Sequence, residues 1–185
     1  MNHVKSVTLM LLCFILLCAC GGGDPSHSGS SPELAAQLAA TSWEKPCSPY
    51  NKFPSADVSD AWNVRIKLSI NADLQASYRS EYFHPNDKNC TSMLFDTLHI
   101  TTLAIKGKVM TAESIEAYAL DETFIFNSGN TRLPPLYSLI YLDVEKLYFG
   151  RPLATTSTQN PASGKTPDTR HSSISLNDYF RKNMK

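Results

Sequence analysis

Neither sign of charge is in excess in this chain: lysine and arginine number 17, aspartate and glutamate also 17. No block of like charge occurs either. A nucleic acid is held by neutralising many phosphates, and an anionic bilayer face by a basic patch, so neither is expected as an electrostatic partner. Glycine is scarce, with 8 residues in 185, and none forms a phosphate-cradling loop. Also absent are Gly-x-Ser-x-Gly, His-Glu-x-x-His and Cys-x-x-Cys, the arrangements that expose a serine nucleophile or gather metal ligands. The chain is therefore expected not to be an enzyme, and to need no cofactor and no metal. Long apolar runs are missing too. The longest, residues 7–19, falls short of the roughly 20 residues a helix needs to cross hydrocarbon.

That short run carries the clearest message in the sequence. It follows Lys5 and ends in Leu17-Cys18-Ala19-Cys20, a small residue and a cysteine behind an apolar stretch, which reads as a lipoprotein signal peptide over 1–19. In such signals a diacylglycerol is attached to the cysteine after the cut, here Cys20, and the new amino terminus receives a further acyl chain of the palmitate class. Each buried methylene contributes about 0.8 kcal/mol, so one chain attaches marginally and two or three hold firmly. The membrane is thus an expected partner, through acyl chains. Gly21 stands where an aspartate in bacterial lipoproteins often signals inner-membrane retention, so the expected location is the outer membrane. Residues 20–40 then form a Gly/Ser-rich tether with a short helical lead-in at Leu34, Ala35 and Leu38.

Cys13 and Cys18 leave with the signal and Cys20 carries lipid, so Cys47 and Cys90 are the pair that remains. An oxidising envelope favours a bridge between them, worth roughly 4 kcal/mol for a loop of this length in the chain-entropy account. A metal site or a reactive thiol is the alternative, but His27, His84, His99 and His171 are scattered in sequence and offer no ligand spacing.

Residues 41–185 suit one domain that buries roughly two-thirds of its unfolded surface. Within it, 62–70 alternates apolar and polar without a break, the period-2 pattern of a strand with one wet face. Asn71-Ala72-Asp73 reads as a turn, and 74–83 returns. Residues 94–105 and 109–120 make a second hairpin around Lys106-Gly107-Lys108, followed by a short strand at 123–126. Residues 136–142 and 147–149 close the series around Asp143-Val144-Glu145-Lys146. About eight antiparallel strands result, which predicts an all-β barrel, since closure removes exposed sheet edges. Residues 151–171, rich in Thr, Ser and Pro, are expected to form a mobile loop. Ile174, Leu176, Tyr179 and Phe180 then dock the carboxyl terminus, as a strand or a short helix.

The inward faces of these strands would place Trp62, Val64, Ile66, Leu68, Tyr78 and Tyr82 inside the barrel. Eight strands enclose a space just wide enough to fill with side chains or to hold one small ligand, and both outcomes remain open at this level. Trp43 is read as a packing residue, His84 as a strand end and His99 as lying on a barrel face. The carboxylates Asp57, Asp60, Asp121, Glu122, Asp143 and Glu145 read as residues of turns or their margins.

Trp43 with Cys47 in the first strand, Tyr82 and Cys90 around a turn, Leu147-Tyr148-Phe149-Gly150 in the last hairpin and Tyr179 in an aromatic-basic tail occur in that order. In this the chain resembles a group of uncharacterised bacterial lipoproteins with small lipocalin-like barrels, over residues 38–185. Thr41-Ser42-Trp43 departs from the Gly-x-Trp of true lipocalins. The resemblance implies a lipid-anchored barrel of the cell envelope. Two functions follow as expectations: binding of a small apolar ligand or lipid, or display of loops such as 151–171 and 127–135 to an envelope protein or surface.

Overall fold

The computed structural model describes residues 31–50, 62–129, 132–151 and 163–183. The signal peptide, Cys20, the tether up to residue 30 and residues 152–162 of the expected loop lie outside the described residues.

A helix α1 (Pro32–Leu38) precedes seven consecutive antiparallel strands: β1 (Thr41–Tyr50), β2 (Trp62–Ile70), β3 (Gln75–Phe83), β4 (Met93–Met110), β5 (Glu116–Asn127), β6 (Leu136–Asp143) and β7 (Lys146–Arg151). A 3-10 turn (Pro167–Thr169) and two short strands, β8 (Ser173–Ile174) and β9 (Phe180–Lys182), follow. Each of β1 to β7 pairs with the next. β9 closes the circle, pairing Trp43 with Lys182 on β1 and Leu147 with Phe180 on β7. The result is a closed eight-strand antiparallel barrel, while β8 lies against β7 outside it. The alternation of 62–70 is observed in part: Val64, Leu68 and Ile70 are buried and Lys67 and Ser69 exposed, but at the start of the strand Trp62 is exposed and Asn63 buried. There the Asn63 side chain donates to the carbonyls of His84, Pro85 and Asp87.

Side chains that bond to the backbone set the turns. Asn71 Oδ1 accepts from the amides of Asp73 at 3.0 Å and Gln75 at 2.8 Å, an Asx turn that bends β2 into β3. The Asp87 carboxylate accepts from Thr91 and Ser92 amides after β3. The turn between β4 and β5 corrects the sequence reading. It falls at Thr111, whose hydroxyl accepts from the Glu113 and Ile115 amides, and β4 runs straight through Lys106-Gly107-Lys108. There the pairing slips between Ile105 and Lys108, so Gly107 marks a β-bulge, as an isolated strand glycine often does. The expected strand at 123–126 is the end of β5.

Leu34 and Leu38 of α1 pack with Trp43, Ile70, Ala76 and Ile105, and the Ser31 amide donates to the Ile105 carbonyl at 3.3 Å. The lead-in helix is therefore a plug over one barrel end rather than part of a tether. Trp43 is 1% exposed, a packing residue as expected, and its Nε1 donates to Thr41 Oγ1 at 2.8 Å. Cys47 and Cys90 form a disulfide with Cα atoms 5.8 Å apart, joining β1 to the loop after β3.

The carboxyl terminus docks in extended form. Ile174 packs outside the barrel against Ala117, Leu139 and Tyr148; Phe180 turns inward; Leu176 stays exposed. Residues 163–171 differ from the expected mobile loop. Arg170 Nη1 donates to the Leu120 and Ser138 carbonyls at 2.6 and 3.0 Å, and its Nη2 to Asp121 Oδ1 at 2.6 Å, which ties this segment across β5 and β6.

Candidate ligand-binding site

Core packing leaves a recess in the barrel that is open to solvent. Above the layer of Trp43, Ile70, Ala76 and Leu103, a cavity of about 360 Å³ remains, lined by Lys45, Ile66, Tyr78, Ser80, His99, Glu122, Phe124, Leu136, Ser138, Phe149, Gly150, Arg151, Asp178 and Phe180. That volume lies within the range of small-molecule sites, roughly 300 to 1,000 Å³. Its walls are largely apolar and aromatic. Phe149 meets Tyr78 and Phe180 edge-on at 6.0 and 5.6 Å between ring centroids. At the rim Lys45 Nζ pairs with Asp178 Oδ1 at 2.5 Å, the aspartate half exposed.

The polar feature of the interior is Glu122, buried on β5. Tyr78 Oη on β3 donates to Glu122 Oε2 at 3.3 Å. Burial pushes the carboxyl up to about 7, against the pull of the Tyr78 and Thr101 hydroxyls. Removing a carboxylate from water costs several kcal/mol, whereas a hydrogen bond to a charged group returns about 1.5 to 3, so desolvation prevails. The Tyr78 phenol is raised well above its ordinary value, first by burial and then by the Glu122 charge.

Glu81 shows what Glu122 lacks. It is also buried and sits on the opposite face of β3, but Arg65 Nη2 and Lys67 Nζ both lie 2.7 Å from its carboxylate. Burial raises it and these two cations more than compensate, so its carboxyl is held below the ordinary range. Among the described residues no cation pairs with Glu122. His99 on β4 also faces the cavity, beside the Phe124 ring, and its buried Nδ1 has no hydrogen-bond partner among the described residues.

Two of the six expected lining residues, Ile66 and Tyr78, bound the cavity. Leu68 belongs to the packed layer toward α1 and Val64 is buried on the same column of β2. Trp62 and Tyr82 lie at the barrel end away from α1, where Tyr82 stacks on Phe95 at 4.6 Å and Trp62 meets Phe95 edge-on at 4.8 Å. They pack on one another rather than line the cavity. His84 follows β3 and its carbonyl accepts from the Asn63 amide group.

Asp121 and Glu122, read from the sequence as carboxylates in a turn or at its margin, both lie within β5. The period-2 series Tyr118, Leu120, Glu122, Phe124 carries the signal that would have put Glu122 on an inward face. No family model, no curated protein and no solved structure matches this chain.

Proposed function

We propose that this is a lipid-anchored, non-enzymatic protein of the cell envelope, held at the outer membrane through acyl chains on Cys20, whose barrel binds a small apolar ligand or lipid. The observation that carries the binding part is the unfilled interior of about 360 Å³ with apolar walls and a few convergent polar groups. A barrel serving only as a scaffold gains stability by filling such a space, since each missing contact is lost packing energy. The anchoring part rests on Leu17-Cys18-Ala19-Cys20 and on the resemblance to envelope lipoproteins with small barrels.

Native mass spectrometry of the protein extracted from envelopes tests the binding part. A stoichiometric additional mass that is lost on denaturation is the expected result; a clean apo mass, with no uptake of apolar compounds from an envelope lipid extract, would count against it. Acyl attachment is tested by a Cys20→Ser change, which should shift the protein from the membrane to the soluble envelope fraction.

A second reading, docking of an envelope protein, is favoured by one observation. Trp62, Met93, Leu94, Phe95, Ile125 and Phe126 leave large apolar side chains exposed on β2, β4 and β5 toward the end opposite α1. Apolar surface gathered in this way marks interaction sites more often than chance.

A further inference from the structure

We propose that the ligand carries a single basic nitrogen on an apolar body, and that Glu122 is its counter-ion inside the barrel. This deepens the binding reading and rests on it. An ionised carboxylate is an acceptor only, with about four lone-pair positions. The Tyr78 hydroxyl takes one of them, and the Thr101 hydroxyl is its other near neighbour. Glu122 lines the cavity, where its remaining capacity can meet a ligand.

No charged side chain around that space forms an ion pair with Glu122; Arg151, the one lining cation without an acidic partner among the described residues, is exposed at the wall. Tyr78 from β3 is a neutral donor, His99 from β4 offers a ring nitrogen, Lys45 from β1 is held by Asp178 before β9, and Arg151 from β7 stands at the wall. None forms an ion pair with Glu122. On the outer face of the same barrel, Glu81 has two cations and Asp121, the neighbour of Glu122, has Arg170. Glu81, Asp96, Glu116 and Asp121 on the strands thus pair with the chain's own cations, whereas Glu122 is buried against the cavity with no such pair among the described residues.

The walls suit a cation as well. Tyr78, Phe124 and Phe149 line the cavity with aromatic rings, and ring faces attract ammonium groups. An anionic ligand would instead meet the Glu122 charge at low dielectric, and a neutral one would leave the carboxylate unpaired or require it to stay protonated. His99 Nδ1, buried without a partner among the described residues, is available to a second polar group of the ligand.

The test uses three probes with one apolar body and different charge: phenylpropylamine, phenylpropanol and phenylpropanoate. Binding to the full mature protein is followed by NMR shifts of cavity residues, with Glu122→Gln beside it. The amine should bind roughly tenfold or more tightly than the alcohol, with the acid weakest, and Glu122→Gln should bring amine and alcohol to parity. In the unsubstituted protein, amine affinity should also rise from about pH 6 to about pH 8, as Glu122 gives up its proton. That second readout does not depend on the variant. Equal binding of all three, or preference for alcohol or acid, overturns the inference and leaves the binding reading in place. Failure of all three to shift any cavity residue overturns both.

Discussion

The Tyr78 hydroxyl donates to Glu122 Oε2 at 3.3 Å across the interior of the barrel, from β3 to β5. Three features meet in this one contact: a strand pattern that turns both residues inward, a recess that both residues line, and a carboxyl whose burial pushes it up to about 7. The Tyr78 hydroxyl and, among the described residues, no cation set its chemistry, and the consequences are open to measurement.

The first concerns pH. Glu122 has its folded-state value raised to about 7 from 4.5, so between those values the folded protein binds more protons than the unfolded chain. Stability attributable to Glu122 is full below about pH 4.5 and is lost as pH rises toward 7 and beyond. Glu122→Gln removes this dependence. The variant should exceed the unsubstituted protein in stability at about pH 8, by up to about 3 kcal/mol, with the difference vanishing near pH 4.5. Urea unfolding of both proteins across pH measures it.

His171 works in the opposite direction. Burial lowers its pKa against the pull of the Gly150 carbonyl, so its contribution is present above the ordinary histidine range and falls away as pH drops through it. A His171→Gln protein should lose less stability on acidification from about pH 7 to pH 5 than the unsubstituted protein does, read from the same unfolding curves.

The disulfide links β1 to the loop after β3 across 43 residues of chain. Cys47→Ser should therefore lower unfolding stability by roughly 4 kcal/mol under oxidising conditions. Equal stability of variant and parent would remove the bridge from the account.

Gly150 sits where β7 presses against β6. A Cβ there would come within 2.6 Å of the Leu139 amide nitrogen and 2.9 Å of Ser138 Oγ. Backbone cannot yield cheaply, so Gly150→Ala should cost about 1 to 3 kcal/mol and loosen the β6–β7 wall of the cavity. Hydrogen exchange at the Ile140 and Phe149 amides would report it.

How far the residues alone lead depends on the kind of force involved. Alternation at 62–70 reveals β2 because burial on one face and water on the other act along most of the strand, Trp62 and Asn63 at its start excepted. Turns are harder. Lys106-Gly107-Lys108 has turn composition, yet no side chain there satisfies the backbone as Thr111 does, and the strand continues with only a bulge. Arg170 lies in a Thr/Ser/Pro-rich stretch whose composition suggests mobility, but one guanidinium reaching two carbonyls and Asp121 anchors it. Asp121-Glu122 was the most consequential ambiguity: adjacent carboxylates suggest a solvated turn, whereas on a strand they point to opposite faces, one to Arg170 and the other into the cavity.

The most direct test is the titration of the Glu122 side-chain carboxyl, followed by carbon NMR in the isotopically labelled mature protein and assigned by its loss in Glu122→Gln. The account places the midpoint at about 7. A midpoint in the ordinary range near 4.5 would mean that Glu122 is solvated or neutralised by a cation, and the desolvated ligand site described for this barrel would not exist.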